Sequence, residues 1–268
     1  MNEDEQKRLF FGFEVHAPWP SSFPKARMID GKDRHLTIAF LGLTPSSKIE
    51  QILPELPKPS FRVGPIGIFD RCLFLPKKNP RVVAWHAIPI GDSNPIAPYQ
   101  KELSEWLRQK GYPIEDRDFL FHITLGRNPF VKEEWKKEFA TLPLFYQNLH
   151  LYESLGNLSY KPIWTYPLLP PFEEIEHVAD IAFDINGETL SQLYLHGQLA
   201  LAFTFPEIIP FFDVSNRKTS IEDIIIGLNQ IVSEADKEIG CPFKAVSFHG
   251  DIQNREGNLL HWEMIVDV

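Results

Sequence analysis

The chain is short of several features that would announce an activity. It has two cysteines among 268 residues, Cys72 and Cys241, far apart and without a CxxC pair. That sets aside a disulfide framework or a cysteine-built zinc site and fits two reduced thiols in a cytosolic protein. Long apolar runs are missing: the richest window, 194–212, is broken by His196, Gln198, Pro206, Glu207 and Pro210. Such a window does not span a bilayer, so no membrane partner is expected. The opening Met1 to Arg8 is charged and polar, and no apolar stretch follows. No targeting leader is therefore expected, and the location read from the sequence is cytoplasmic. There is no glycine-rich phosphate loop, no His-Glu-x-x-His and no nucleophile elbow, which removes the commonest routes to phosphate, zinc and serine chemistry.

Apolar and aromatic side chains are plentiful, at 43% and 13% of the chain, enough for packed cores. Basic residues are unevenly spread. Through Pro170 there are 22 Lys and Arg against 19 Asp and Glu; from Pro171 onward there are 5 against 17. The first part is able to approach a phosphate chain, and the second repels one. A Pro-rich and then acidic link, 168–174, coincides with that change. The reading is two domains, 1–168 and 173–268.

In the first part, strands are expected at 9–15, 35–42, 61–69, 81–90, 122–127 and 144–152, with helices at 98–110 and 132–139. Strands, a helix and a His-bearing strand come first, and a similar set follows, which describes two α+β lobes. In the second part, 180–185 alternates so that Asp180, Ala182 and Asp184 face outward. Helices follow at 190–203 and 220–240, the second with a Ser220/Asp223 cap and a glycine stop, and two strands close the chain at 243–249 and 260–268.

The chemistry-bearing pattern is a repeat. His35-Leu36-Thr37-Ile38 returns as His122-Ile123-Thr124-Leu125, each on an expected strand. In an extended chain alternate residues share a face, so His and Thr stand together while the aliphatics point to a core. An ordinary histidine titrates near ~6.5, so two of them are able to hold opposite protonation states at neutral pH. One then takes a proton from water as the other gives one to a departing alkoxide. Thr37 and Thr124 are placed to donate to a phosphoryl oxygen, and Arg127 adds charge there. His16, His86 and His150 lack such company and are read as structural.

This doubled pattern resembles the signature of the two-histidine (2H) phosphoesterases, in particular the RNA 2′,3′-cyclic phosphodiesterases once called 2′-5′ RNA ligases. The flanks agree: Arg8-Leu9-Phe10-Phe11 resembles the opening strand of that family, and Leu151 to Ser154, Gly156 and Tyr160 its closing segment. Phe121 stands where the family often has proline. The resemblance implies a bilobal α+β fold with both histidines in a central cleft. It also implies metal-independent opening of a 2′,3′-cyclic phosphate at an RNA end to a 2′-phosphate, with no cofactor. By analogy His35 is the general acid and His122 the general base, an order that the sequence leaves open.

The second part carries another likeness. Asp180 and Asp267, with the carboxylate of Val268, would make an oxygen-rich site for Ca²⁺ or Mg²⁺ if brought together. His177 to Phe183, Gly187 to Leu190, Lys244 to Gly250 and the ending 266–268 resemble archease. That family assists a GTP-dependent RNA ligase. The resemblance implies a smaller α+β domain in which Asp180, Asp267 and Lys244 are functional and the aspartates bind a divalent cation. The stretch 206–219 is too short for the central strands archease has there. Together the two likenesses lead to the expectation of an RNA-repair or tRNA-processing enzyme. The alternatives are a ligase-assisting factor and a binder of RNA ends without turnover.

Overall fold

The computed structural model describes residues 5–91, 94–116, 118–177, 180–215, 217–255 and 257–268. The first four residues, Val178 and Ala179 of the stretch from His177 to Phe183, and Glu256 lie outside them.

Eight strands make the first sheet: β1 (Gln6–His16), β2 (Arg27–Met28), β3 (His35–Pro45), β4 (Ile66–Leu75), β5 (Val82–Pro89), β6 (His122–Arg127), β7 (Pro143–Gly156) and β8 (Ser159–Tyr166). Their order is β1-β3-β6-β5-β4-β7-β8, and β1 also pairs with β7. Six strands thus close on one another like a barrel. The closure has two thin seams. β3 meets β6 through Leu36 and Ile123, and β4 meets β7 through three pairs, at Ile66, Gly67 and Ile68. The seams divide the ring into two antiparallel halves, with His35 on one and His122 on the other. Beyond Leu36 the rest of that edge of β6 is taken by β2.

Apolar alternation builds the first core from Phe11, Phe13, Leu36, Trp85, Ile123, Leu125, Leu149 and Leu151, all at most 1% exposed. Three helices, α1 (Ser46–Ile52), α2 (Ile96–Gln109) and α3 (Lys132–Lys137), accompany it. Tyr99, Leu103 and Leu107 bury the inner face of α2. This helix starts two residues before Pro98, because a proline in the first turn gives up no needed N–H.

The second sheet has the order β11-β12-β10-β9, from β9 (Phe172–Ile175), β10 (Ile181–Gly187), β11 (Ala245–Arg255) and β12 (Leu259–Asp267). It carries α4 (Leu190–Thr204) and α5 (Ile221–Ile239). Ser220 caps α5 by accepting from the Asp223 N–H, and Gly240 ends it at φ 74°, a conformation that suits glycine.

Two expectations fail here. The acidic link is not free chain: Leu169 bridges to Val63, and 172–175 adds to the sheet as β9 because its extended backbone pairs with β10. Ala182 is fully buried rather than outward-facing. Its cross-strand partners on either side are Ile175 and Ile265.

Buried positions of α4 include His196, Gly197 and Gln198 as well as its apolar residues, as in a helix enclosed from several sides. The second core also takes in Ile66 and Phe145 from the first sheet. Phe145 lies 5.6 Å from Phe172 and 5.4 Å from Phe203 between ring centroids. Arg62 reaches Glu188 through both its backbone N–H (2.9 Å) and its Nε (3.4 Å). No helix among the described residues is long and apolar enough to cross a membrane.

Candidate active site at the histidine seam

Everything at this site is set out from the Leu36–Ile123 pair. Cross-strand neighbours share a face, and successive residues alternate. Counting outward, His35 lies toward Thr124 and Thr37 toward His122, all four on the face opposite the buried Leu36 and Ile123. The histidines are thus diagonal neighbours, roughly 7–8 Å apart at the backbone, and close enough for His122 to act electrostatically on His35.

The two histidines are held in the same way. His35 Nδ1 is 2.7 Å from the Asp33 carbonyl oxygen, and His122 Nδ1 is 2.8 Å from that of Leu120. A carbonyl only accepts, so each Nδ1 donates and each lone pair is on Nε2. The same i−2 contact on both strands makes the pair quasi-symmetric in detail, beyond sequence pattern.

A bulge follows each Thr. β1 pairs Phe11 with Ala39 but Gly12 with Thr37, skipping Ile38. β5 pairs Val83 with Gly126 but Ala84 with Thr124, skipping Leu125. One extra residue reverses the alternation, so the residue five after each histidine, Phe40 or Arg127, returns to the histidine face. Phe40 is 55% exposed and packs on Phe10 at 5.7 Å. Arg127 lies close enough to the Tyr160 hydroxyl to act on it electrostatically, and the Tyr160 ring stands edge-on to His35 at 4.8 Å.

His35 is enclosed. Phe10 (4.7 Å) and Tyr152 (5.2 Å) flank its ring, and its floor is Gly12, where a Cβ would come within 3.0 Å of the Leu36 carbonyl oxygen and 3.5 Å of the imidazole. Burial pushes its pKa down to about 4, with His122 adding a smaller push in the same direction against the Asp33 hydrogen bond. His35 is therefore neutral at pH 7 while no anion stands beside it.

The sequence reading missed several neighbours. Glu14 pairs with His35 across β1 and β3. His150 and His16, with Nε2 atoms 3.6 and 3.2 Å from its oxygens, hold its carboxyl far below the usual carboxylate range, and Asn148 donates to it at 3.1 Å. His86 stands opposite His122 on β5 and has Nδ1 2.6 Å from the Asp70 carboxylate. His16, His86 and His150 each have a polar partner: Glu14 for His16 and His150, and Asp70 for His86. The signal for them lay in strand register, which a local pattern does not contain.

No family model matches the chain, and no curated protein matches it. Solved structures do. A structure described as a phosphoesterase is 22% identical, with a TM-score of 0.44, over 62% of this chain and 99% of that one. E. coli LigT complexed with 3′-AMP is 21% identical, with a TM-score of 0.44, over 61% and 99%. TT0787 of Thermus thermophilus is 17% identical, with a TM-score of 0.46, over 60% and 97%.

The second group of expected site residues is also drawn together in part. Lys244 Nζ lies 2.6 Å from the Val268 oxygen and 3.6 Å from Asp267 Oδ1. Asp180 precedes Ile181, whose partner is Val266, so the register leads from Asp180 toward Asp267. Asp180 itself has His177 at 3.8 Å. Among the described residues no group of three or more His, Cys, Asp or Glu is placed to hold a metal ion. The cation in this cluster is the Lys244 ammonium. As it stands the donor set is an ion pair and does not fit a divalent ion, and no chemical step is routed through one.

Proposed function

We propose that the seam hydrolyses a 2′,3′-cyclic phosphate at an RNA end to a 2′-phosphate by acid–base catalysis. The observation that supports this is the matched pair of imidazoles, each fixed through Nδ1 to the carbonyl two residues back, on either side of one strand pair. In the reaction a water oxygen bonds to phosphorus as its proton passes to Nε2 of His122. The bond from phosphorus to the 3′ oxygen breaks, and that oxygen takes a proton from Nε2 of His35. Thr37, Thr124 and Arg127 stabilise the charge on the non-bridging oxygens. His35 gains its proton when the phosphate arrives, because an anion against the ring offsets the burial that otherwise keeps it neutral.

The test is turnover of a short RNA ending in 2′,3′-cyclic phosphate, with EDTA present. Wild type forms the 2′-phosphate, and His35→Ala and His122→Ala each lose about 10²–10⁴-fold. An inactive wild type, or variants as active as wild type, would sink the reading.

For the second sheet the Lys244–Asp267–Val268 cluster supports an accessory role toward a GTP-dependent RNA ligase acting on the same kind of end. Faster guanylylation of such a ligase, lost in Asp267→Ala, is the expected result. No acceleration leaves the second sheet a packing partner of the first.

A further inference from the structure

Arg27 on β2 and Arg127 on β6 are direct cross-strand partners. They therefore share a face, and the bulge after Thr124 makes it the histidine face. Both side chains are exposed, and among the described residues neither has an acidic partner at ion-pair distance. Like charges placed directly opposite on a sheet repel and destabilise it. Arg8, also exposed and without such a partner, is close enough to act on the Tyr160 hydroxyl along with Arg127. Tyr160 in turn touches His35, so this unpaired positive charge is physically continuous with the acid–base pair. Along β6, Arg127 lies three residues past Thr124, roughly 10 Å at strand rise. The bulge shortens that run, so the long Arg127 side chain is placed to reach from the reacting phosphate to the next one along a strand.

We propose that Arg27 and Arg127 together form a second phosphate subsite, which takes the internucleotide phosphate adjoining the cyclic end. The substrate is then an oligoribonucleotide rather than a cyclic mononucleotide. This deepens the function proposed above and rests on it. Two guanidiniums on facing strands present parallel N–H donors to the two non-bridging oxygens of one phosphodiester, and an anion between them removes the repulsion that the free protein bears. Arg127 would serve both phosphates. Arg27 belongs to the second alone.

The experiment compares kcat/KM for a diadenosine ending in 2′,3′-cyclic phosphate with that for adenosine 2′,3′-cyclic phosphate, at low and moderate salt. Wild type favours the dinucleotide by about tenfold or more, and the preference shrinks as salt rises. Arg27→Gln brings the ratio close to one and lowers the salt slope by about one, whereas Arg27→Lys keeps part of it. Arg108→Gln, on α2 and paired with Asp116, leaves the ratio at the wild-type value. Equal use of both substrates by wild type, or a ratio unchanged in Arg27→Gln, overturns the subsite. Turnover of neither substrate instead overturns the phosphoesterase reading. Binding of a labelled diadenosine with a 3′-phosphate then decides the subsite by itself: salt-sensitive binding weakened in Arg27→Gln supports it, and binding indifferent to that change ends it.

Discussion

Leu36 and Ile123 are the pair that joins β3 to β6, and both are completely buried beneath the histidines they separate. The spacing of the two imidazoles therefore depends on apolar packing rather than on a long ladder of hydrogen bonds. Ile123→Val should cost about 0.5–1.5 kcal/mol, and Leu36→Ala about 2–5 kcal/mol. Because the same pair sets the register, Leu36→Ala should also depress turnover of cyclic-phosphate RNA well beyond the loss of folded protein. Urea unfolding and turnover measured on one preparation check this. Activity that merely tracks the folded fraction would separate the seam from the chemistry.

Gly12 offers a cleaner separation. An added Cβ meets the Leu36 carbonyl oxygen at 3.0 Å and makes only ordinary contact with the His35 ring at 3.5 Å, so the strand that carries His35 must give by a few tenths of an ångström. Near-attack geometry is sensitive on that scale. Gly12→Ala should lower kcat by about tenfold or more while the melting temperature moves by only a few degrees. An unchanged kcat would show that His35 tolerates displacement.

How far the site was legible in the sequence follows from which distances along the chain its contacts span. His35 with Thr37, and His122 with Thr124, need only the two-residue period of a strand, and that much is visible locally. Arg127 was named for its charge, yet simple alternation puts it on the wrong face. The bulge that returns it is imposed by β5. Glu14, Asp70, His86 and Tyr160 reach the site only through pairings between distant strands. The same reason explains 172–175: the proline-rich and then acidic run 168–174 reads as a link, but β10 offers a free edge that 172–175 fills. The capping of α5 was legible because Ser220, Asp223 and Gly240 act within a turn of their own positions.

Stability should fall in mild acid. Burial holds both His35 and His196 down to about 4, below the ordinary value near ~6.5 that the unfolded chain keeps. Between those values the unfolded state binds more protons, so stability is full above roughly pH 6.5 and is lost as pH falls toward 4. Each histidine contributes a loss of about 2 kcal/mol between pH 7.5 and pH 5. Urea midpoints at these two pH values measure it, and His35→Asn should remove its own share. A midpoint that does not change with pH would contradict the burial of both rings.

His86 makes the last prediction. Ala87 N–H donates to the Phe121 carbonyl at 3.1 Å, so the next pair, His86 with His122, is of the non-hydrogen-bonded kind, in which side chains approach most closely. Asp70 accepts from His86 Nδ1 at 2.6 Å, which leaves the His86 lone pair on Nε2, away from the carboxylate. Asp70 is held in turn by Arg71 at 2.5 Å. An oriented imidazole beside the proposed base is placed to influence the proton that His122 takes up, and not substrate affinity. His86→Gln should therefore lower kcat by about tenfold with little change in KM, and Asp70→Asn should act in the same direction but less strongly, both below the loss expected for the direct acid–base pair. A purely structural histidine would instead lower the melting temperature and leave kcat per folded molecule intact. Steady-state kinetics paired with thermal unfolding distinguish the two outcomes, and wild-type kcat in both variants would remove His86 from the mechanism.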